Sequence, residues 1–427
     1  MKPTEWKAGV AKTSITPEEP MWLAGWAARR RPADGQAMEL FVKALALEDS
    51  IGNRFVLLTA DLIAIPRELA TLVAAQVQSR WNLPRESILF NASHTHTGPE
   101  LRPDKVPFFE IPSEFAARIQ PFLLTLQEKM TASINSALGK LEPATLTATR
   151  STVAFAHNRR SEDGPVAREV PILQITAADK RPLAVLFGYA CHNLVLPPEF
   201  CQYHGDYAGV AQQTLEQAFP GVTAFFLAGA GADQDPAPRG TMELTKQHGV
   251  TLARAVEKAL AEPGKAPTGP LNVAFEEVLL DFQPLPTPEA LQADLASSDP
   301  PRVRKAKYLI DHMAVGRAFP AAYPCPVQVV RFGKELLLFA FGGEPVADYA
   351  VRLQAEFPNS LVWVAGYSND MFGYLPSRRI QKEGGYEGGR ALLWSALPAP
   401  FTDTVEERIM AAARRLTGGL DTAAGKS

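Results

Sequence analysis

The chain has 427 residues, of which 46% are hydrophobic and 21% are charged, and its formal net charge is −3. These ordinary globular values exclude a wholly disordered chain, a collagen and a coiled coil, and the lack of a basic excess argues against a nucleic-acid partner. Three cysteines, Cys191, Cys201 and Cys325, are too few for a disulfide scaffold. They favour a reducing compartment, although one bridge beside a free thiol also fits the count.

Strand-length apolar runs alternate with segments of helical periodicity along the chain. Strands are predicted at 55–62, 87–91, 169–177, 183–190, 223–228, 271–282, 336–341 and 361–365, and helices at 67–81, 113–141, 207–219, 242–262, 345–357 and 404–416. This alternation predicts an α/β fold whose β-sheets are mixed and flanked by helices. We expect one domain over 1–427, with the active site at the carboxyl ends of strands.

Three segments stand apart from this pattern. Residues 284–325, rich in proline, alanine and charge, are predicted to form a helical insertion that either caps a site or is a surface excursion. Residues 417–427 are small and polar and are predicted to be a disordered tail. The first residues lack the charged and apolar regions of a secretory signal. No apolar run is as long as the roughly 18 residues that a membrane span needs. We expect a cytoplasmic protein, and the alternative is a secreted form whose signal has been removed.

Five of the predicted strands end in polar or glycine-rich turns. In open α/β sheets the ligand crevice lies outside the carboxyl ends of the strands. If these strands are parallel neighbours, the side chains that follow them meet in one place. The turns contain Asp61, the His94–His96 segment, His192, the glycine loop 229–236 and Glu344.

His94 and His96 are the first candidates for chemistry. On an extended chain, residues i and i+2 point to the same face, and two imidazoles on one face suit zinc. His192 and Glu344, at two further strand ends, complete the set of two histidines and a carboxylate that is typical of catalytic zinc sites. A pair of hydrogen-bonded loop histidines is the alternative. The remaining histidines are predicted to be structural or exposed: His157, His204, His248 and His312.

Other polar motifs leave two interpretations open. The loop 229–236 has neither the Lys-Ser/Thr ending of a P-loop nor the pattern Gly-x-Gly-x-x-Gly, so nucleotide binding is disfavoured. Its glycines either let backbone N–H groups approach a substrate oxygen or simply form a tight turn. Asp206 either caps the next helix or orients a histidine ligand.

The ordered set of motifs resembles the neutral/alkaline ceramidase family of zinc amidases. The similarity extends over roughly residues 8–390, and the His-Thr-His-Thr-Gly-Pro segment at 94–99 is its most specific single element. The other matching segments are 8–12, 15–17, 59–61, 158–160, 190–192, 205–209, 229–236, 343–344, 369–374 and 386–388.

This resemblance implies particular roles for residues of this chain. One Zn²⁺ per chain is expected, and the substrate is expected to be a small acylated molecule. The implied zinc ligands are His94, His192, Glu344 and Tyr374. The implied reaction centre contains His96, Arg159, Tyr386 and Asp235. Contacts to the substrate are predicted for Gly231, Asp233 and Asn158.

The implied chemistry is hydrolysis of an amide bond by a metal-activated water. Tyr386, with His96, would donate hydrogen bonds to the developing oxyanion, His96 would protonate the departing amine, and Arg159 would anchor a polar part of the substrate. Ceramidases carry a serine where this chain has Asp235, and the larger ones add a C-terminal β-sandwich that this chain is expected to lack. We therefore expect a ceramidase-like hydrolase with a different acylated substrate.

Two alternatives remain at this stage. The same zinc site serves an esterase or lactonase, which matched amide and ester substrates distinguish by kcat/KM. The scaffold also suits a non-catalytic binding protein, which would bind a metal or ligand without turnover. The sequence indicates neither an oligomeric state nor a natural substrate.

Overall fold

A computed structural model describes residues 6–424 of the chain. Its strands, in chain order, are β1 (Trp6–Ser14), β2 (Gly35–Gln36), β3 (Phe41–Glu48), β4 (Arg54–Ala60), β5 (Ile88–Ala92), β6 (Glu142–Thr152), β7 (Ala156–Asn158), β8 (Glu169–Ala177), β9 (Pro182–Tyr189), β10 (Gln202–Tyr203), β11 (Thr223–Ala228), β12 (Gln234–Pro236), β13 (Leu271–Asp281), β14 (Ala322–Phe332), β15 (Leu336–Phe341), β16 (Glu344–Pro345), β17 (Leu361–Ala365) and β18 (Tyr374–Leu375). The helices are α1 (Arg67–Trp81), α2 (Val106–Phe109), α3 (Ser113–Leu138), α4 (Asp206–Ala218), α5 (Met242–Leu260), α6 (Pro288–Leu295), α7 (Pro300–Ala314), α8 (Ala347–Glu356), α9 (Arg378–Glu383) and α10 (Val405–Ala424).

The main sheet has eight strands in the order β11-β9-β8-β6-β1-β3-β4-β5. Parallel pairs lie at its two edges, β9 with β11 and β4 with β5, and every pairing between them is antiparallel. A second sheet has the order β13-β14-β15-β17, with only β15 and β17 parallel. The predicted class, α/β with mixed sheets flanked by helices, is confirmed.

The two sheets pack face to face between two helical layers. Along β3, Val42, Ala44 and Ala46 pack with α1, α3, α4 and α5, whereas Leu45 and Leu47 pack with the second sheet. The opposite face of the second sheet is covered by α8 and α10. Both faces of the main sheet are therefore buried, which explains why several of its strands are near-continuous apolar runs.

The prediction missed four long strands, β1, β3, β6 and β14. In β3 the apolar run is interrupted by Lys43, which is buried because its Nζ donates to Gln212, Glu216 and the carbonyl of Ala224. In β14, Pro324 and Pro326 argue against a strand in the interior of a sheet. Tertiary contacts override both local signals.

Two predicted boundaries were wrong. The insertion 284–325 does contain two helices, α6 and α7, but its last residues belong to β14, which starts at Ala322. The terminal helix does not end at residue 416, because α10 continues through Ala424. Residues 417–424 are therefore helical, and 425–427 lie outside the described residues.

The three cysteines are free and buried, so the bridge that the composition left open is absent from the described residues. Cys191 follows β9, Cys201 precedes β10 and Cys325 lies in β14. Within residues 6–424, no helix combines the length and the apolar character that crossing a membrane requires.

A pair of leucine truncations tests the packing of the main sheet. Leu215 on α4 is fully buried in the core between that sheet and the helices, whereas Leu72 on α1 is 52% exposed. Leu215→Ala should lower the free energy of unfolding by about 2–5 kcal/mol because it leaves a cavity. Leu72→Ala should change it by less than about 0.5 kcal/mol. Urea unfolding measures both values, and equal losses would contradict this packing.

Candidate active site at the strand ends

A cavity of about 420 Å³ lies where strands of both sheets end. Histidines and acidic groups line one part of its wall, and aromatic and apolar side chains line much of the rest. The residues that line the cavity include His94, His96, His192, Glu344, Tyr374, Tyr386, Arg159, Asp235, Glu387, Trp26, Arg102, Lys105 and Arg239. This volume lies within the range of about 300–1,000 Å³ that is usual for small-molecule sites.

The strand ends meet because the main sheet curls until its two edge strands approach each other. Asn91 at the end of β5 accepts a hydrogen bond from the N–H of Ala228 at the end of β11, at 3.1 Å. Its Nδ2 donates to the carbonyl oxygen of Gly366, which follows β17, at 2.8 Å. The expected convergence is therefore correct, but the strands are not five neighbours of one parallel sheet. They come from opposite edges of the main sheet and from the second sheet.

His94 and His192 face one oxygen of Glu344. The Nδ1 atoms of the two rings lie 2.9 Å from the carbonyl oxygens of Ile63 and Gly231. Because a carbonyl oxygen only accepts, each Nδ1 carries a proton, and each Nε2 of a neutral ring presents a lone pair. These Nε2 atoms lie 3.3 and 3.4 Å from Oε2 of Glu344, which has no hydrogen-bond partner among the described residues.

The charges of this group suit a bound cation. Burial lowers the pKa of His94, which keeps its ring neutral. Burial acts against ionisation of Glu344 as well, and the pKa of this carboxyl is held well below its usual range only by positive charge on the neighbouring imidazoles, which a bound cation can supply instead. Two imidazoles and a carboxylate, all buried and all directed at one point, are the donor set that zinc prefers.

Tyr374 is placed beside this group by a short strand pair. Glu344 and Tyr374 are direct partners in the parallel pairing of β16 with β18. The hydroxyl oxygen of Tyr374 accepts a hydrogen bond from Nη2 of Arg159 at 3.1 Å. Burial and the charge of Glu344 raise the pKa of Tyr374 well above its ordinary value.

His96 reaches the same place by a different route from the one expected. His94 has φ of +60°, so the segment is not extended and the i, i+2 argument does not apply. The ring nitrogens of His94, His96 and His192 nevertheless lie within 4.8 Å of one another. Both ring nitrogens of His96 lack a partner among the described residues. Burial and the two other imidazoles lower the pKa of His96 well below its ordinary value.

The backbone of Gly25 makes room for His96. Gly25 has φ of +87°, and a Cβ at this position would clash with the imidazole of His96. Trp26 contacts the same ring edge to face, with the ring centroids 5.1 Å apart. A glycine is therefore required at position 25 both for its conformation and for the approach of the histidine.

Arg159 is at the cavity wall, but its donors are used within the protein. Its Nε lies 2.7 Å from Glu387, its Nη1 3.2 Å from Asp235, and its Nη2 contacts Tyr374. Glu387 also accepts from Arg160 at 2.5 Å. In this arrangement Arg159 fixes the positions of Tyr374 and Asp235, and its charge is balanced before any substrate binds.

Asp235 is held by two arginines. Besides Arg159, the guanidinium of Arg239 lies 3.4 Å from its carboxylate. Burial opposes ionisation, but the guanidinium groups of Arg159 and Arg239 lower the pKa of Asp235. A carboxylate is therefore accommodated as an ion at the position where the resemblance expects a serine.

Three predicted substrate contacts do not line the cavity. Asn158 donates to Asp233 at 2.9 Å, and Asp233 accepts from the backbone N–H of Ala347 at 2.8 Å. Gly231 packs so closely on the backbone of Cys191 that a Cβ would clash there. The structure thus places Gly231, Asp233 and Asn158 in the layer behind the cavity, and their contact with a substrate stays a prediction. The carbonyl of Gly231 orients His192.

Asp206 has neither of the two roles that the sequence left open, which were the helix cap and the partner of a histidine ligand. It is the first residue of α4 rather than its cap, and its carboxylate accepts from the backbone N–H groups of Val195 and Leu196 at 3.1 and 3.0 Å. Burial raises the pKa of Asp206 to about 6. This carboxylate therefore fixes the loop that follows His192, without contacting a histidine ligand.

The sequence match that decides the family covers the first part of the chain. A model of the neutral/alkaline non-lysosomal ceramidases, N-terminal, matches residues 6–235, which is more than half of the chain. The chain belongs to this family. Membership in this ceramidase family indicates a hydrolase that acts on an amide bond. No curated protein sequence matches the chain.

Two solved ceramidase structures share the fold. A ceramidase complexed with C2 has a TM-score of 0.76 and 16% sequence identity, covering 98% of this chain and 76% of that one. The neutral ceramidase from Pseudomonas aeruginosa has a TM-score of 0.73 and 19% identity, covering 97% of this chain and 75% of that one. At such low identity these similarities establish the architecture alone.

Several residues of this ceramidase-like site were missed from the sequence. Tyr367 stacks on His94 with ring centroids 4.2 Å apart, and Glu387 joins the arginine network. Glu387 lies inside the matching segment 386–388, and Tyr367 lies two residues before the segment 369–374. Trp26, Arg102 and Lys105 carried no such signal, because single aromatic and basic residues are common on any surface.

The segment before α4 provides a test by pH. Nδ1 of His204 accepts the N–H of Asp206 at 2.8 Å, and burial lowers the pKa of His204 from 6.5 to about 4. Between these values the unfolded chain binds a proton that the folded chain does not, so stability falls as the pH falls. His204→Asn keeps an acceptor without titrating. From pH 6.5 to 4 the wild type should lose about 3 kcal/mol relative to this variant.

Urea unfolding at several pH values measures this difference. His157→Asn is the matched control, since His157 is exposed, and it should follow the wild-type curve. Parallel curves for the wild type and His204→Asn would show that His204 takes up its proton equally well in the folded state.

Proposed function

We propose that the chain is a zinc-dependent hydrolase that cleaves an N-acyl amide bond. The observation that carries the proposal is the meeting of two imidazole lone pairs with one carboxylate oxygen in a buried cavity, with the rings oriented by backbone carbonyls. Without a cation, these three acceptors would face one another unpaired, which is costly in a buried site. Membership in the ceramidase family supports the amide bond as the target.

The proposed zinc ligands are His94, His192, Glu344 and Tyr374. A ligating histidine almost always donates its other N–H to an acceptor. His94 and His192 do so, whereas His96 has neither ring nitrogen anchored. We therefore place His96 at the substrate rather than at the metal. Bound zinc supplies Lewis-acid polarisation of the amide carbonyl and a lowered pKa for water.

Tyr386 would stabilise charge that develops on the carbonyl oxygen. Tyr386 lies at the cavity wall with its ring centroid 5.4 Å from that of Tyr374. Burial raises the pKa of Tyr386 to about 12, so its hydroxyl keeps the proton that it donates. One such donor contributes about 3–4 kcal/mol to an acyl-transfer transition state. Arg159 acts by holding Tyr374 and Glu387 in place.

His96 is the residue that we propose to move a proton. Its two free ring nitrogens can accept a proton from the attacking water and pass it to the departing amine, which is general base and then general acid catalysis. Trp26 limits the access of bulk water to the ring.

The zinc content of the purified protein tests the metal site. Protein without a histidine tag should contain about one zinc per chain by mass spectrometry. His192→Ala should lose most of this zinc, because the variant lacks one of the two imidazoles proposed as zinc ligands. His157→Ala, a change of an exposed histidine, should retain it. Wild-type protein that takes up no zinc on reconstitution would refute the metal site.

A His96→Gln variant separates metal binding from catalysis. It should keep its zinc but lose about 10²- to 10⁴-fold in kcat on a chromogenic N-acyl anilide, since a proton carrier is removed. Loss of zinc in this variant would instead make His96 a ligand. Matched anilide and phenyl ester substrates decide the bond: an enzyme that cleaves the ester and leaves the anilide intact would overturn the amide assignment.

A further inference from the structure

Two lysines lie buried together, one in the cavity wall and one behind it. Lys105 precedes α2 and lines the cavity, and Lys305 lies on α7 behind it. Each is only 8% exposed, which is unusual for a lysine. Burial lowers the pKa of both, that of Lys305 to about 7, with the charge of Lys105 contributing to the effect on Lys305.

The acceptors that these lysines contact are neutral. Lys105 donates to the carbonyl of Trp394 at 2.8 Å, and Lys305 donates to those of Ser395 and Leu397 at 2.7 and 2.5 Å. Among residues 6–424, neither ammonium forms an ion pair with a carboxylate. Asp104, next in sequence to Lys105, is exposed. Two ammonium groups thus share a poorly solvated site, and the carboxylates that act on Lys105, those of Asp104, Glu100 and Glu344, do so without contacting it.

Arg102 lies on the same wall and is balanced separately. Its Nε and Nη2 form a bidentate pair with Glu100, both at 2.7 Å. Its Nη1 faces only the sulfur of Met371, at 3.9 Å, which is a weak acceptor. Arg159 and Arg239, which also line the cavity, both contact carboxylates. Among these cations of the cavity wall, Lys105 is therefore the one that forms no ion pair with a described carboxylate.

Buried charges in proteins are normally paired, and an unpaired one is costly. A carboxylate placed in the cavity near Lys105 would supply the missing negative charge and an acceptor for the free N–H bonds of Lys105 and Arg102. The charge of Glu344 already influences the pKa of both cations, so they face the same cavity as the proposed zinc ligands.

We propose that this end of the cavity, formed by Lys105 and Arg102 with Lys305 behind them, binds a carboxylate that the N-acyl substrate carries away from the scissile bond. This inference rests on the proposed function and narrows its substrate to an anionic acylated compound. The carboxylate belongs either to the acyl half, as in a dicarboxylic monoamide, or to the amine half, as in an N-acyl amino acid.

Binding of two matched pairs of probes tests the subsite without requiring turnover. Hexanamide and adipamate, the monoamide of adipic acid, differ by a carboxylate at the far end of the acyl half, and N-hexanoylglycinamide and N-hexanoylglycine differ by one on the amine half. Calorimetry at pH 6 should show one carboxylate-bearing member binding at least about tenfold more tightly than its neutral partner, a difference typical of a charged hydrogen bond. The pair that shows this preference identifies the half.

Variants assign the preference to the lysine. Lys105→Met should abolish it, and Lys105→Arg should retain most of it. Lys307→Met removes an exposed lysine from the same helix as Lys305 and should leave the preference unchanged. Circular dichroism and Tm confirm that each variant is folded.

The proposal is overturned if the wild type shows no preference in either pair, or if the preference survives Lys105→Met. It is also overturned if Lys105→Met weakens both members of a pair equally, because the lysine then only holds the carbonyls of the 394–397 wall. Zinc binding and amide hydrolysis without this preference would remove the subsite and leave the proposed function. A protein that shows the carboxylate preference but neither binds zinc nor hydrolyses amides would keep the subsite and remove the proposed function.

Discussion

The contact that the rest of the site depends on is the closure of the main sheet at Asn91. This amide joins the end of β5 to the end of β11 and reaches the segment after β17. A flat eight-stranded sheet would keep its two edges far apart, since neighbouring strands are about 4.8 Å apart. The curling of the sheet brings its two edges together, so that His94 and His192 both face one carboxylate from the second sheet. Burial of both faces of the sheet keeps this curvature fixed.

The chain order of the strand-end motifs was readable from the sequence, and so were the class of the fold and most helices. His94, His192 and Glu344 were found because polar groups after apolar strands are informative on their own. Their relative positions were not readable, since parallel pairing was assumed where the real neighbours come from different sheets. The conformation of His94, with positive φ, also depends on tertiary contacts that no local pattern encodes.

Some motif residues lie behind the cavity rather than in its wall. Gly231, Asp233 and Asn158 contact the backbone and side chains of this layer, which fix the ring of His192 and the loop beside it. A sequence motif records both layers without separating them. Conversely, Lys105 and Lys305 are far apart in the chain and belong to no motif, so only the structure shows that two ammonium groups share one end of the cavity and that α7 of the insertion forms part of its surroundings.

The three buried thiols can report local opening of the fold. Cys191 is next to a proposed metal ligand, Cys201 lies in the segment leading to α4, and Cys325 belongs to the second sheet. A thiol reagent reaches such groups only when the surrounding structure opens. The three rates of modification therefore compare how often three parts of the fold open: the end of β9 at Cys191, the segment before α4 at Cys201, and the second sheet at Cys325. No substitution is needed for this comparison.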